Sequence, residues 1–298
     1  MIWLLRRLVL LAALAVPASA VSTLVAPARA DAPAAGFKIA TWNMEWLTQR
    51  GAELPPDAAP KRDDDIATLA GYAARLDADV VALEEVDSLD LVSRIFPPER
   101  YQLFITGDGV LQKVALVVRR GIAVERHPDL TALDVIPDAK YRLRSGLDAT
   151  LSLDGRRMRV LAVHLKSGCF DGPLQSSPRS ACRKLTLQLP VLQHWIEARA
   201  AEKTAFAVIG DFNHHLQPGD PLLTGLENAA PMLVATAGHA SPCWGGEDFI
   251  DQILLGGTAA RWEVPDSLRV MVYRETDPEM KERLSDHCPV SVRLRPDG

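Results

Sequence analysis

Short, nearly all-apolar runs recur along the chain, and most of them stop at a carboxylate, an amide or a histidine. The run 37–42 reads as a strand and leads into Asn43, and the run 78–83 is of the buried-strand type and leads into Glu84 and Glu85. The run 204–209 is a second buried type and ends at Gly210-Asp211. Further strands are predicted over 101–106, 114–118, 249–255 and 290–294, with a hairpin over 147–153 and 158–165 that turns at Asp154-Gly155. Helical spacing puts Ile66, Leu69, Tyr72 and Leu76 on one face and predicts a helix over 63–76. A short helix over 89–95 is stopped by Pro97-Pro98, and 185–200 forms a longer one. Many strands with two αβ crossings predict an α/β fold of two stacked sheets with helices outside. A single doubly wound sheet is the alternative, which the hairpin and the strand-rich C-terminal part fit less well.

The first thirty residues belong to a different pattern. Arg6 and Arg7 precede an apolar stretch from Leu8 to Val16, followed by small-residue sites at Ala18-Ser19-Ala20 and Ala28-Arg29-Ala30. This is the layout of an export signal, with cleavage expected after Ala30. An uncleaved anchor would need a longer run than Pro17 and Ser19 allow. Residues 31–298 are then expected to form one catalytic domain, periplasmic or secreted, monomeric, and without stable membrane insertion once the signal is removed.

The chain's net charge of -5 argues against a tight, processive nucleic-acid binder, which needs concentrated lysine and arginine. It leaves room for an enzyme that touches a polyanion briefly through bound cations and a local basic rim, for which Arg142, Arg144 and Lys166 are candidates. Four cysteines in an exported chain suggest two disulfides. Cys169 and Cys182 flank a Gly/Pro/Ser-rich excursion, which leaves Cys243 for Cys288, with a buried free thiol at Cys288 as the alternative. A zinc site would want a CxxC pair, and there is none.

The polar run-ends carry the candidate chemistry. Strand alternation should send only one of Glu84 and Glu85 inward, and neighbouring carboxylates in a sheltered place call for a cation such as Mg²⁺. Asp211 and Asn213 face one way if the strand continues, so the first can orient a water and the second can donate to a phosphoryl oxygen. His287 beside Asp286 is a potential general base, and Asp251, an ionisable residue inside a strand pattern, is its natural partner. His164 ends another apolar run and could protonate a leaving oxygen. Each of these has a plain reading as a solvated edge, a turn or a satisfied histidine. Nucleotide-binding glycine loops, G-x-S-x-G and H-E-x-x-H are lacking, which removes kinase, NAD-enzyme, serine-hydrolase and zincin readings.

Six strings in order complete the picture: Thr41-Trp42-Asn43, Ala82-Leu83-Glu84-Glu85-Val86, Val163-His164-Leu165, Gly210-Asp211-Phe212-Asn213, Phe249-Ile250-Asp251-Gln252-Ile253 and Ser285-Asp286-His287-Cys288-Pro289-Val290. Together they resemble the endonuclease/exonuclease/phosphatase superfamily, which has the DNase I-like fold. The resemblance implies a four-layer sandwich of two packed mixed sheets flanked by helices. It implies a metal site at Glu85, Asn43 and Asp286, and catalytic roles for His287, Asp251, His164, Asp211 and Asn213. Mg²⁺ is the expected cofactor, with Mn²⁺ or Ca²⁺ as substitutes. His164 stands where the repair-type branch commonly has tyrosine, Glu84 stands where the family usually has glutamine, and Glu45 is a further possible metal contact. The implied function is an exported, metal-dependent phosphodiesterase with DNA or another nucleic acid as transient substrate. The alternatives are a phosphodiesterase of lipid head groups or small phosphoesters, and a catalytically silent binding protein.

Overall fold

The computed structural model describes residues 36–296 apart from residue 57, so the expected export signal lies outside the described residues. In chain order the elements are β1 (Phe37–Leu47), α1 (Asp63–Leu76), β2 (Val80–Val86), α2 (Leu89–Ile95), β3 (Tyr101–Ile105), β4 (Lys113–Arg119) and β5 (Ala123–Arg126). They continue with β6 (Leu147–Leu153), β7 (Arg156–His164), α3 (Ser180–Ala201), β8 (Ala205–Asp211), α4 (Pro221–Ala229), β9 (Met232–Val234) and β10 (Ala240–Ser241). The last are β11 (Glu247–Asp248), β12 (Asp251–Gly256), β13 (Arg269–Val270), α5 (Pro278–Arg283) and β14 (Val290–Leu294).

Two six-stranded mixed sheets result, ordered β13-β14-β1-β2-β4-β3 and β5-β6-β7-β8-β12-β9. Each holds one parallel pair, β1 with β2 and β7 with β8, and every other pairing in them is antiparallel. A parallel pair needs a crossover, and α1 and α3 supply it. Alternation along the strands then sorts the side chains into layers. Ile39, Val80, Ala82 and Leu116 meet Leu147, Val160, Ala207 and Ile209 between the sheets. Trp42, Val81 and Leu83 face outward beneath Ile66, Leu69 and Tyr72 of α1, while Leu161, Val163 and Val208 lie beneath Leu185, Leu192 and Trp195 of α3. This is the four-layer helix–sheet–sheet–helix sandwich expected for the DNase I-like fold.

The two parallel pairs also position the polar run-ends. Parallel strands present their C-terminal ends on one edge, and the register brings Asn43 beside Glu84 in one sheet and His164 beside Asp211 in the other. Antiparallel β12 begins at this same edge, with Asp251 opposite Asp211. Gly210 makes the close approach possible: its φ is +145°, and a Cβ there would lie 1.9 Å from the Val163 carbonyl oxygen. Both disulfides, Cys169–Cys182 and Cys243–Cys288, are formed, with Cα separations of 4.9 and 5.7 Å.

Candidate active site

Asn43, Glu85, His164, Asp211, Asn213, Asp251, Asp286 and His287 converge at the shared edge of the two sheets. A cleft opens there in two lobes. The larger, about 440 Å³, is lined by Glu45, Glu85, Asp211, Asn213, Asp286 and His287 among others. The smaller, about 250 Å³, shares Asp286 and His287 and also contains Asp251.

His287 is held from several sides. Its Nδ1 is 2.8 Å from Asp251 Oδ2, and its backbone N–H donates to Ser285 Oγ at 2.9 Å. Ser285 in turn donates to the Asn43 carbonyl, while Tyr273 Oη donates to the His287 carbonyl and accepts from Trp42 Nε1. The Cys243–Cys288 bond fixes the next residue. Burial is the largest single influence on the imidazole and lowers its pKa, but the carboxylates of Asp251, Asp211 and Asp286 together outweigh it and raise the pKa well above its usual value. Nε2 points to no close partner: Asp286 Oδ1 is 3.7 Å away and Asp211 Oδ2 is 4.0 Å away.

Asp211 is saturated with donors. Its Oδ1 accepts from the Asn213 backbone N–H at 2.7 Å, and Oδ2 accepts from the side-chain amides of Asn213 and Asn43 at 2.9 and 3.0 Å. Burial nevertheless pushes its pKa up to about 7. Asp211 and Asn213 meet by a turn and not by continued strand alternation, because β8 ends at Asp211 and Asn213 has a φ of +52°. Asp211, Asp251 and His287 bring potential ligand atoms within 4.8 Å of one another. The Asp251–His287 bond and the three donors on Asp211 already occupy much of that capacity, which suits a proton-handling cluster better than a cation.

The oxygen-rich set lies in the larger lobe. Glu85 Oε2 accepts from the Trp46 backbone N–H at 3.1 Å, and Oε1 lies 3.5 Å from the Asn43 amide nitrogen. Glu45 donates its backbone N–H to Asn43 Oδ1, and its own Oε2 accepts from the Asp286 backbone N–H, both at 2.9 Å. Burial first, and the charge of Asp286 second, push Glu45 up to about 8. Three carboxylates with a carboxamide beside them, one carboxylate resisting ionisation because it is buried, offer the oxygen-donor chemistry that a hard divalent cation prefers. Lys61, buried behind them, brings an ammonium near the group and donates to the Glu282 carbonyl at 3.1 Å.

Two findings depart from the sequence reading. The alternation rule for Glu84 and Glu85 fails, because both β1 and β2 bulge at this edge. Glu45, Trp46 and Glu85 have φ of +41°, +56° and +58°, an unfavourable region for these residues, and the kinks turn the Glu85 carboxylate into the cleft. Glu84 stays fully buried, taking the Thr41 hydroxyl at 3.0 and 3.2 Å from its two oxygens. Burial, with the nearby Asp251 and Asp211, lifts its pKa well above the usual 4.5, so it sits as a neutral acid where the family usually has neutral glutamine. The raised folded value means that Glu84 contributes stability fully below about pH 4.5 and loses it as pH rises through that folded value. Glu84→Gln is therefore expected to stabilise the protein at pH 8 by about 1–2 kcal/mol, several degrees in Tm, with the gap closing at pH 5. A gap independent of pH in thermal melts would show that Glu84 is ionised.

The second departure concerns His164. Burial, followed by the positive charge of Arg144, holds its pKa well below the usual value, so the ring is neutral. An Arg144 Nη2 hydrogen bond goes to His164 Nε2, and since guanidinium only donates, Nε2 is the acceptor. The ring proton then lies on Nδ1, which is buried and without a partner. The same Nε2 is 3.5 Å from Asp211 Oδ2 and 3.6 Å from Glu85 Oε1. Behind this wall lies Arg144, 6% exposed, with its Nε–H buried and unpartnered. Arg142 is held by Asp134 at 2.8 Å, and the Lys166 ammonium donates to the Ser167 carbonyl at 2.7 Å. His214 is structural: its ring is buried between the Cys169 carbonyl and Asp220.

Solved structures share the fold at low sequence identity. Truncated Caenorhabditis elegans TDP2 superposes with a TM-score of 0.59 at 15% identity, over 87% of this chain and 97% of that one. The human nocturnin catalytic domain gives 0.56 at 16% identity, over 87% and 94%. The 3'-5' exonuclease NExo of Neisseria meningitidis gives 0.54 at 17% identity, over 87% and 99%. No curated protein matches the chain by sequence. The endonuclease/exonuclease/phosphatase family pattern matches residues 40–287, almost the whole of the folded part, and the chain belongs to that family.

Proposed function

We propose that this protein is an exported, metal-dependent phosphodiesterase that hydrolyses nucleic acid. The observation that carries the reading is the meeting of the Glu45, Glu85 and Asp286 carboxylates with the His287 imidazole around one open lobe, with Asp251 holding His287 and a buried guanidinium behind the site. Glu85, Glu45 and Asp286, with Asn43, would hold Mg²⁺, or Mn²⁺ or Ca²⁺ in its place. The ion would supply Lewis-acid neutralisation of the phosphoryl oxygens. His287, aligned by Asp251, takes the proton of the attacking water through its open Nε2. Asp211 Oδ2 and the Leu165 carbonyl take the side-chain N–H groups of Asn213, which leaves its Oδ1 to accept from and orient the water. Arg144, hydrogen-bonded to His164 behind the site, adds positive charge near Glu85 and Asp211, and His164 acts by placing Arg144.

Nucleic acid is favoured as the substrate by the open cleft and by two relatives of the same fold: D. rerio TDP2 complexed with a single-strand DNA product, and Neisseria NExo bound to a product DNA hairpin. Export is supported by the leader-like residues 1–30 and by two disulfides, which persist in oxidising compartments. No helix among the described residues is long and apolar enough to cross a membrane. The test is hydrolysis of plasmid DNA, RNA, sphingomyelin and bis(4-nitrophenyl) phosphate by residues 31–298, with Mg²⁺ and with EDTA. Cation-dependent cleavage of the nucleic acids is expected. Turnover of sphingomyelin alone would move the protein to a lipid substrate.

A further inference from the structure

The smaller lobe of the cleft joins the larger along Phe170, Ile250, Lys281, Asp286 and His287, and apart from Asp251, Asp286 and His287 its lining has no part in the hydrolytic scheme, yet it is a shaped cavity. One wall is an exposed aromatic on a braced loop. Phe170, 40% exposed, follows Cys169 of the first disulfide, and its carbonyl accepts from the His215 backbone N–H at 2.9 Å. The His215 ring lies 6.3 Å from the Phe170 ring at a 31° tilt, and its Nδ1 is 2.7 Å from Asp171 Oδ1. A bulky apolar side chain held open to water by a disulfide and local hydrogen bonds is a preformed face for another flat group.

The opposite rim is acidic, while Lys281 and His287 line the side that the two lobes share. Glu247 and Asp248 are exposed on β11, and neither side chain makes a hydrogen bond or ion pair with any described residue. Asp251, 7% exposed, also lines the lobe, and its Oδ1 is buried without a partner. Carboxylates with no cation assigned to them repel phosphate, so a polyanionic substrate's phosphates belong in the larger lobe, where Glu45, Glu85 and Asp286 would hold the cation, and the rim of Glu247 and Asp248 suits a neutral, planar group carrying N–H donors.

Resting on the nucleic-acid reading above, we propose that this lobe is a base subsite in which the nucleobase next to the scissile phosphate stacks on Phe170 and turns its donor edge toward Glu247 and Asp248. Guanine suits it best. Its N1–H and exocyclic N2–H lie side by side and can pair with one carboxylate, whereas adenine, cytosine and thymine each offer a single donor position on that edge. A base read on this edge is unpaired, so the substrate is a single strand or a splayed end.

The test uses short single-stranded oligonucleotides with one unmodified phosphodiester, flanked in turn by G, A, C or T. Wild type is expected to favour one G-flanked position by about tenfold in kcat/KM, and Glu247→Gln/Asp248→Asn to bring the four bases within about twofold of one another. Phe170→Ala is expected to raise KM about tenfold with a smaller change in kcat, and Phe170→Trp to restore it. All three positions are at the surface, and unchanged melting temperatures would confirm intact folds. Cleavage without base preference, or a preference that survives the double substitution, overturns the subsite while leaving the nuclease. Hydrolysis of bis(4-nitrophenyl) phosphate with no oligonucleotide cleaved removes the nucleic-acid reading and the subsite together. Sphingomyelin turnover that depends on Glu247 and Asp248 would instead give the lobe to a cationic head group.

Discussion

His287→Ala is expected to lower kcat on a phosphodiester about a thousandfold while leaving a folded protein. The magnitude comes from the role: proton transfer by a positioned side chain contributes roughly 10²–10⁴ in rate. Asp251 Oδ2 bonds His287 Nδ1, so the exchangeable site is Nε2, which faces the cleft with no partner within hydrogen-bonding distance. The neighbouring carboxylates raise the imidazole's pKa in spite of burial, so the neutral, proton-accepting form gains population only as pH climbs. Wild-type kcat/KM should therefore rise through a limb above the ordinary histidine range. Asp251→Asn removes the largest raising influence and should shift that limb to lower pH as well as lowering the plateau. A limb that does not move would assign it to another group, with Asp211 first in line.

The same ion pair has a stability consequence. A folded pKa above the unfolded one contributes stability fully below about pH 6.5 and loses it as pH rises through the folded value. His287→Ala leaves a buried Asp251 carboxylate unpaired and is expected to cost about 3 kcal/mol, part of which His287→Ala/Asp251→Asn should recover.

Much of this site is legible in sequence because the fold collects strand ends. Apolar runs such as 78–83 and 204–209 can only be buried strands, and the polar residues at the end of each reach the same edge. The helices over 63–76 and 185–200 are equally readable, although the second begins earlier, at Ser180. α4 and α5 escape the hydrophobic pattern because they are short, yet both start at an Asp-Pro pair, and Asp220 and Asp277 cap them through backbone N–H groups. The bulges at Glu45–Trp46 and Glu85 cannot be read. No glycine marks them, and the positive φ angles exist only because surrounding contacts impose them. Arg144 is obscured for a different reason: in sequence it ranks with Arg142 and Lys166 as a rim cation, whereas in the fold it is buried behind the site against His164.

Glu85→Gln is expected to reduce activity at least a thousandfold and to weaken Mn²⁺ binding, measured by titration calorimetry, by tenfold or more. The substitution keeps an oxygen for the Trp46 N–H and adds no volume, so a change in melting temperature should be small and the loss chemical. A carboxylate contributes charge as well as a lone pair to a hard cation, and the amide contributes only the lone pair. Glu45 makes the comparison sharper. Its carboxyl, pushed up to about 8 by burial and then by Asp286, is largely protonated at pH 7, so binding a cation there must displace a proton from it. Affinity for Mn²⁺ should therefore fall as pH drops below 8, and Glu45→Gln should flatten that dependence while costing less affinity at pH 7 than Glu85→Gln. Equal, pH-independent affinities in wild type and both variants would place the cation elsewhere, and Glu45, Glu85 and Asp286 would then be a charge cluster with Lys61 and Lys281 beside it.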